Sequence, residues 1–440
     1  MKAIKKSAVL CLLVVLCVLL SGCSLFSTGE ELLRAPKSGG EVSEIKEALK
    51  ELITGDYTLK YPTDGDYRSA IVRYDIDGDE EEEAIAFYST TAENITNMHI
   101  AVLSKTSGRW KASKDAQTLA SGVEKVAFCD LNADGKDEII VGWSVLGTVD
   151  KQVSVYSFDG TLLLQRAEEK YTEFLCCDLD TDQKNELLVI HLNTSEQMGT
   201  ARLLEITDAG VNERASVPTN GTISGYQSVS VSKLLDGKTA VYLDGKKGSG
   251  LITEILFLSG ENLLNPMFDI QNGTTLTERP FTDGVRDING DGSPDIPMHG
   301  VAPGFENMSE GEREYITKWC AYNGKGLVVT LTSITDTADG YYVEIPKPLQ
   351  DKVTLLTTRD GKIKTVSLYD TENKKKGDVL FKVKETRKED YTPEDGWVLA
   401  AENAYTVLTV QVSGYEGAEA RTAEETAKTV KFFEQGEKSK

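Results

Sequence analysis

Four short acidic segments of the chain share one spacing of oxygen-bearing side chains. Asp, Asn or Glu stands at positions 1, 3, 5 and 9 of each nine-residue segment, named below by its first residue. These residues are Asp75, Asp77, Asp79 and Glu83; Asp130, Asn132, Asp134 and Glu138; Asp178, Asp180, Asp182 and Glu186; and Asp287, Asn289, Asp291 and Asp295. Alternate side chains of a tightly curled loop converge on one point, and the backbone carbonyl at position 7 adds an oxygen. Such an all-oxygen, anionic cage suits a hard cation, so the spacing predicts a Ca²⁺ site in each loop.

A helical calcium loop of the EF-hand or dockerin kind is excluded by the residues that come after each segment. That loop needs a bidentate glutamate at position 12 and then a helix. Position 12 is apolar here and lies in a strand-like run: Ala86, Val141, Val189 and Met298. A metal-free turn closed by side-chain hydrogen bonds to the backbone is the remaining alternative. Four such loops favour metal, because carboxylates left unpaired at close range repel one another.

The acidic loops recur with a period of roughly 50 residues, which is typical of propeller blades. A second marker, a hairpin turn between apolar strands, lies about 30 residues after each loop. Each unit is therefore predicted to contain, in this order, a strand, the acidic loop, two strands, a turn and a last strand. We expect an all-β propeller of about five four-stranded blades over residues 57–334. The fourth unit has only Lys233-Leu-Leu-Asp236-Gly-Lys-Thr239 at the loop, so its cation site should be lost.

The N-terminus has the pattern of a secretion signal. Lys2, Lys5 and Lys6 precede an apolar run over residues 8–20, and these thirteen residues are too few to span a bilayer comfortably. The run ends in Leu-Ser-Gly-Cys23, which is similar to a bacterial lipobox. We expect residues 1–22 to be removed and the Cys23 thiol to carry diacylglycerol, with palmitate as a typical acyl chain. The alternative is an uncleaved membrane anchor.

Two further segments flank the repeats. Residues 23–56 should form a polar tether that ends in a short amphipathic helix, because apolar residues recur at helical spacing from Val42 to Ile53 and stop at Gly55. Residues 335–440 carry strand-like runs without acidic loops, and Thr422-Ala-Glu-Glu425 is a capping box for a last helix reaching Phe433. This segment is predicted to be a small α+β domain outside the propeller.

The net charge limits the classes of partner, and the cysteines allow two interpretations. The net charge of −22 disfavours nucleic acid and anionic lipid and attracts cations. Besides Cys23 and two cysteines in the signal, the chain has Cys129, Cys176, Cys177 and Cys320. Small buried core residues are the favoured interpretation, and a disulfide between blades or a metal–thiolate site is the alternative.

The chain resembles the FG-GAP/VCBS repeats of integrin α-chain-type propellers. The resemblance covers residues 57–333 and rests on the acidic loops, the period and the strand pattern. Leu59-Lys-Tyr-Pro62 and Gly65-Asp-Tyr-Arg-Ser69 upstream of the first loop, together with the lipobox, more specifically resemble VCBS-repeat lipoproteins of Gram-positive bacteria. The resemblance implies calcium on loop positions 1, 3, 5 and 9. Five recognisable units are fewer than the seven common in that family.

The sequence carries no motif of a known catalytic site. Its three histidines are His99, His191 and His299, and none stands in a metalloprotease or nucleophile pattern. The sequence therefore predicts that the chain is not an enzyme but a binding or scaffolding module on the extracytoplasmic face of the membrane. Its ligand would be a surface protein or a glycan. The alternative is an extracellular carbohydrate-active hydrolase or lyase with its site in the propeller channel, which paired carboxylates with strongly shifted pKa values would favour.

The Cys23→Ala variant tests the predicted anchor. Because the thiol would be the only attachment point of the lipid, the variant should leave the membrane fraction or accumulate as an unprocessed precursor. Fractionation together with mass spectrometry of the N-terminus measures both outcomes. Membrane association that is unchanged in the variant, with the signal intact, would contradict lipidation at Cys23.

Overall fold

The computed structural model describes residues 40–433 apart from residues 93–94, 146, 148–150 and 208–209. The predicted signal and Cys23 lie outside the described residues. No helix among the described residues is long and apolar enough to cross a membrane. Thirty strands and two α-helices are described, so this part of the chain has an all-β fold.

Four blade-like sheets come first along the chain. Sheet 1 contains β1 (Tyr57–Leu59), β2 (Ile71–Tyr74), β3 (Glu83–Ala92), β4 (Ile95–Thr106), β5 (Arg109–Ala112) and β6 (Ala116–Thr118). Sheet 2 contains β7 (Ala120–Cys129), β8 (Glu138–Val145), β9 (Lys151–Phe158) and β10 (Leu163–Tyr171). Sheet 3 contains β11 (Glu173–Cys177), β12 (Glu186–Asn193), β13 (Met198–Thr207) and β14 (Gly210–Asn220). Sheet 4 contains β15 (Tyr226–Lys233), β16 (Thr239–Lys247), β17 (Gly250–Ser259) and β18 (Asn262–Leu264). Sheets 2 to 4 are antiparallel meanders with their strands in chain order, as the repeats predict.

Two five-stranded sheets come after the short hairpin of β19 (Phe268–Asp269) and β20 (Thr274–Thr275). Sheet 5 contains β21 (Ile296–Val301), β22 (Tyr315–Tyr322), β23 (Leu327–Asp336), β24 (Tyr341–Glu344) and β30 (Val430–Phe432). Sheet 6 contains β25 (Val353–Thr357), β26 (Ile363–Asp370), β27 (Lys375–Arg387), β28 (Val398–Glu402) and β29 (Thr406–Val412). Short 3-10 turns lie at Glu310–Glu312, Lys347–Leu349 and Lys388–Asp390.

The apolar second strands explain why the sheets stack. On β8, Ile139 and Val141 pack between sheets 1 and 2, whereas Ile140 packs between sheets 2 and 3. Successive side chains of a strand point to opposite faces, so a continuous apolar run must be covered on both. Further cores join sheet 3 to sheet 4, sheet 4 to sheet 5 and sheet 5 to sheet 6. Each sheet therefore packs on the next one along the chain.

Helix α1 (Gly40–Leu52) covers the other face of sheet 1. Its apolar residues Ile45, Ala48 and Leu49 are buried in one core with alanines of β3 and β4. The alanines leave room for a helix where a neighbouring sheet would otherwise lie.

The C-terminal segment departs from the predicted α+β domain. The predicted boundary at residue 335 falls inside β23, and β24 extends sheet 5 beyond it. The capping box at Thr422 and Glu425 is formed, but helix α2 (Ala423–Ala427) has only five residues. It stops because β30 pairs with β24, as Tyr341 to Val343 face Val430 to Phe432. Sheet 5 therefore takes strands from both sides of the predicted boundary, and a sixth sheet adds to the five predicted units.

Removal of the buried leucine of helix α1 tests its packing on sheet 1. Leu49 is fully buried, so Leu49→Ala should destabilise this end of the protein by about 3 kcal/mol through lost contacts and a cavity. Val42→Ala, on the exposed side of the same helix, is the control and should change stability by less than about 0.5 kcal/mol. Urea unfolding combined with hydrogen exchange in β3 measures the difference. Equal effects of the two variants would contradict this packing.

Candidate functional site

The acidic loops all lie at one edge of the sheet stack. The Asp75, Asp130 and Asp178 loops connect β2 to β3, β7 to β8 and β11 to β12, whereas the Asp287 loop leads into β21. Hydrogen bonds join the first three loops to one another. The Asp137 N–H donates to the Ile76 carbonyl at 2.9 Å, and the Asn185 side chain donates to the Asp130 carbonyl at 3.4 Å. Position 8 of one loop is thereby tied to the start of the loop before it.

A shared set of hydrogen bonds curls each loop. In the Asp75 loop, the Asp75 carboxylate accepts the N–H groups of Gly78, Asp79 and Glu80 at 2.8–3.2 Å. The position-9 carboxylate of Glu83 accepts the N–H of Ile76 at 3.1 Å. The other three loops have the same bond from position 2 to position 9, at 2.9, 3.1 and 3.2 Å. Side chains and backbone therefore fix the curl together.

The Asp75 loop fits a calcium ion. Oxygens of Asp75, Asp77 and Glu83 lie within 4.8 Å of one another. Asp77 Oδ1 is buried without a hydrogen-bond partner. Burial, helped by the nearby aspartates, raises the pKa of Glu83 to about 7. A divalent cation would supply what this cluster lacks, and its donors are all oxygen, as Ca²⁺ prefers.

The Asp130 and Asp287 loops carry asparagine at position 3 and so hold fewer carboxylates. Asp130 Oδ1 is buried without a hydrogen-bond partner, and the same is true of Asp77 Oδ1 in the Asp75 loop. In the Asp287 loop, Asp295 is fully buried and accepts a hydrogen bond from the Thr330 hydroxyl. Burial raises the pKa of Asp295 to about 6.

The Asp178 loop differs because an arginine reaches into it. Oxygens of Asp178, Asp180 and Glu186 lie within 4.8 Å of one another. The Arg214 guanidinium lies 2.5 Å from Asp180 Oδ2 and 2.6 Å from Glu186 Oε1. The carboxylates at positions 3 and 9 are therefore already paired with a positive charge.

The degenerate fourth unit contains a lysine in place of the acids. Lys233 Nζ donates to the Thr239 hydroxyl at 2.7 Å, and Lys238 pairs with Asp236 at 2.5 Å. Lys233 therefore stands where the other loops carry their first aspartate, and loss of the cation site stays a prediction.

A further acidic cluster lies outside the four loops and was not predicted from the sequence. Oxygens of Asp336, Asp339 and Glu385 lie within 4.8 Å of one another, and Lys364 Nζ lies 2.9 Å from Asp336 Oδ2. Burial first, and then a hydrogen bond with Asp339, raise the pKa of Glu385 to about 7. Asp336 ends β23, Asp339 lies in the turn before β24, and Glu385 lies on β27. The three residues have no shared spacing, so the sequence gives no signal for this cluster.

The opposite edge of the stack holds a polar cavity of about 550 Å³ between the ends of strands in sheets 2 and 3. Its lining includes Lys151, Lys170, Tyr171, His191 and Asn193. The ring of Tyr171 lies against Gly142, where a Cβ would fall 2.1 Å from the Tyr171 hydroxyl. Glycine is therefore needed there if Tyr171 is to keep its place in the wall.

A pair of glutamates adjoins this cavity. Glu124 of β7 accepts a hydrogen bond from the Ser144 hydroxyl, and its Oε2 lies 3.0 Å from Nζ of Lys151 in the cavity wall. Glu173 begins β11, next to the lining residues Tyr171 and Thr172. Its Oε2 lies 3.8 Å from Lys125 Nζ. Glu124 on β7 and Glu173 on β11 of the adjacent sheet each lie beside a residue of the cavity wall, and the charge of Glu124 acts on the pKa of Glu173.

The two glutamates have pKa values shifted in opposite directions. Burial opposes ionisation of Glu124, but the hydrogen bonds from Ser144 and Lys151 outweigh it and lower its pKa. Burial dominates at Glu173 and raises its pKa, with Asp64 and Glu124 adding to the rise against the two lysines. One carboxylate is thereby held ionised and the other is held protonated to higher pH.

A second cavity, of about 360 Å³, lies between sheets 5 and 6 and is mainly apolar. Met298, Ile316, Ile345 and Val353 contribute to its lining. One carboxylate residue, Asp351, lines it and pairs with Lys318 at 3.0 Å. Its lining contains no glutamate.

The four cysteines of the described residues are free thiols. Cys129 ends β7, and Cys176 lies on β11 of the adjacent sheet. The neighbouring Cys129 thiol and burial raise the pKa of Cys176 well above its ordinary value. Cys177 and Cys320 are buried, as the sequence favours, whereas Cys129 and Cys176 are partly buried.

Comparison with known proteins identifies similar solved structures. No family model matches the chain, and no curated protein matches it. The exotype rhamnogalacturonan lyase YesX is similar over 73% of this chain and 83% of its own, with 12% identity and a TM-score of 0.31. The exo-β-1,3-galactanase of Phanerochaete chrysosporium is similar over 81% of this chain and 88% of its own, with 12% identity and a TM-score of 0.26. The Dos1 propeller covers 64% of each chain, with 11% identity and a TM-score of 0.24.

These comparisons overturn one prediction from the sequence. The expectation that the chain is not an enzyme is wrong by this finding, because lyases and a galactanase stand among the similar structures. Similarity at this level does not transfer an activity or a substrate. The chemistry has to be argued from the residues of this chain.

Calcium should stabilise the fold through the acidic loops. Calcium sites of extracellular modules have a Kd of about 10⁻⁴ to 10⁻³ M, and the same range is expected for these loops. At free calcium ten times the Kd, each occupied site adds roughly 1.4 kcal/mol to the free energy of unfolding. Melting of the full chain in detergent, in chelator and in millimolar calcium, measures this gain.

Asp77→Ala should remove one site's share of the gain, whereas the control Asp236→Ala in the degenerate fourth unit should leave the calcium response unchanged. Magnesium should replace calcium poorly because it demands a tighter octahedron. Coincident melting curves, together with no binding heat in calorimetry, would show that the loops are only hydrogen-bonded turns.

Proposed function

We propose that the chain is a carbohydrate-active enzyme, a hydrolase or a lyase, that cleaves a glycosidic bond at the polar cavity. The observation that carries this proposal is the Glu124–Glu173 pair beside that cavity. Two carboxyl groups whose surroundings push their pKa values apart provide an acid and a base at the same pH. The binding module expected from the sequence has no comparable feature among the described residues.

Glu173 is assigned as the general acid. Its raised pKa keeps a proton on the carboxyl group at a pH where an exposed glutamate has lost it. Cleavage of a glycosidic bond needs this proton on the departing oxygen, since an alkoxide is a poor leaving group. Lys125 limits the rise of the pKa, so the acid keeps the ability to release its proton.

Glu124 is assigned as the ionised partner. The bonds from Ser144 and Lys151 hold its carboxylate in the charged form. A charged carboxylate in this place would take a proton from water or from the sugar ring, or attack the anomeric carbon. The three routes share the same acid and differ in what the carboxylate removes or attacks.

The cavity suits a sugar ring. Its volume of about 550 Å³ lies within the range of small-molecule sites. Asn193, Thr172 and Ser195 offer amide and hydroxyl groups to sugar hydroxyls, and Tyr171 offers an aromatic wall. The site is open to the edge of the stack that faces away from the acidic loops, so bound metal and substrate would not compete for space.

The proposed setting of this activity is the extracytoplasmic face of the membrane. The lipobox cysteine Cys23 would tether the enzyme by its lipid, and a cell-surface or extracellular glycan would be its partner. Calcium in the acidic loops would act on stability rather than on the reaction.

Conservative variants test the acid–base pair. Turnover of a panel of neutral and acidic polysaccharides by the full chain should fall at least about 100-fold in Glu173→Gln and in Glu124→Gln. Glu205→Gln, at an exposed position of β13, is the matched control and should retain activity. Release of reducing ends reports both reaction classes, and absorbance of an unsaturated product identifies a lyase. No turnover across the panel, or full activity in Glu173→Gln, would contradict the proposal.

The pH dependence of turnover should be bell-shaped. Activity rises as Glu124 ionises, below the ordinary pKa of glutamic acid, and falls as Glu173 loses its proton, above that value. Lys151→Met should move the acidic limb to higher pH, because Glu124 then loses the ammonium that favours its charged form. A profile of kcat/KM against pH measures both limbs, and an acidic limb that does not move in Lys151→Met would contradict the role of Glu124.

A further inference from the structure

One strand in each of sheets 2, 3 and 5 has a β-bulge beside the acidic loop of its unit. This strand lies two places from the strand that the loop enters, and its register slips by one residue there. The residues left out of the pairing are Arg166 on β10, Arg214 on β14 and Thr330 on β23. These three residues occupy equivalent places in their sheets. A bulge re-aims the side chain that it releases.

Each bulge residue acts on the position-9 carboxylate of its own loop. Thr330 donates its hydroxyl to Asp295. Arg166 donates to the Ser157 hydroxyl at 3.0 Å, and that hydroxyl donates to Glu138 at 2.9 Å. Arg214 contacts Glu186 directly at 2.6 Å. The bulge is therefore a fixed position from which a side chain can reach the loop.

In the Asp178 loop the bulge residue also occupies the position-3 carboxylate. Arg214 donates from one amino group to Glu186 and from the other to Asp180, at 2.6 and 2.5 Å. These two carboxylates belong to the set that would have to face a metal ion. Arginine stays protonated at all ordinary pH values, and its planar fork matches two acceptors.

We propose that Arg214 is a tethered cation that takes the place of the metal ion in the Asp178 loop. A divalent ion and a guanidinium bound to the same two carboxylates would repel each other, and the carboxylates cannot direct the same lone pairs to both. The guanidinium side chain is 18% exposed and Glu186 is 4% exposed, so water screens the pair only in part.

The bulge residue then decides how the Asp178 and Asp287 loops are filled. Threonine at the bulge of sheet 5 is neutral and leaves the charge of the Asp287 loop to an external cation. Arginine at the bulge of sheet 3 neutralises its loop from within the chain. The Asp178 loop keeps its curl without calcium, and the number of calcium ions bound is smaller than the number of acidic loops. The proposal does not depend on the catalytic role of the Glu124–Glu173 pair.

An exchange of the two bulge residues tests this inference. Calorimetric titration of the full chain with calcium alone should show one additional site in Arg214→Thr, because the Asp178 loop then has the bulge residue of the Asp287 loop. Thr330→Arg should bind one ion fewer than the wild type. Circular dichroism establishes that both variants are folded. An unchanged number of sites in folded Arg214→Thr would overturn the proposal.

Hydrogen exchange in the unmodified protein gives a second measurement that does not depend on a variant. On addition of chelator, amides of the Asp75 loop should lose protection, whereas those of Asp182 and Gln183 in the Asp178 loop should keep it. These amides donate to the Asp178 carboxylate at 3.1 and 2.9 Å, within the loop that Arg214 neutralises. Loss of protection in the Asp178 loop equal to that in the Asp75 loop would also overturn the proposal.

Discussion

A carboxylate buried where the loop enters the next strand is the constraint on which the acidic edge depends. Glu83, Glu138, Glu186 and Asp295 are at most 4% exposed, and each accepts the N–H of position 2 of its own loop. A buried charge without compensation is costly, so every such carboxylate requires a partner. A serine, an arginine and a threonine serve Glu138, Glu186 and Asp295 in turn, whereas Glu83 lies among other acids and its pKa is raised to about 7. The same backbone loop is therefore kept while the chemistry around it changes.

The sequence predicts the parts of this arrangement that are local. Spacing at positions 1, 3, 5 and 9 locates the loops, and the apolar run after each loop predicts a strand buried on both faces. The bulge residues Arg166, Arg214 and Thr330 could not be found in this way. They lie 28 to 35 residues beyond the carboxylates that they serve, and only the pairing register brings them there. A slip of one residue on a strand reverses the direction of a side chain, and composition does not reveal such slips.

The glutamate pair and the C-terminal strands escaped prediction for related reasons. Glu124 and Glu173 lie 49 residues apart on different sheets, and each is a single acid in an unremarkable strand. Their opposite pKa shifts arise from burial and from lysines that the fold supplies. The pairing of β24 with β30 joins residues almost 90 positions apart, and strand preference depends on such neighbours more than on local sequence. The loop pattern predicts that the stack ends at residue 334, whereas the sixth sheet extends it beyond that residue.

Helix α1 has a consequence for how the architecture can change in length. The alanine-lined face of sheet 1 is fitted to a helix, whereas every other interface joins one sheet to a similar sheet. Duplication of a unit between sheets 2 and 4 would create an interface of a kind already present and leave the helical cap undisturbed. Addition of a unit before sheet 1 would have to displace helix α1 from the face that it covers. Growth of the stack by internal duplication is therefore open to this chain, while growth at its N-terminal end is closed.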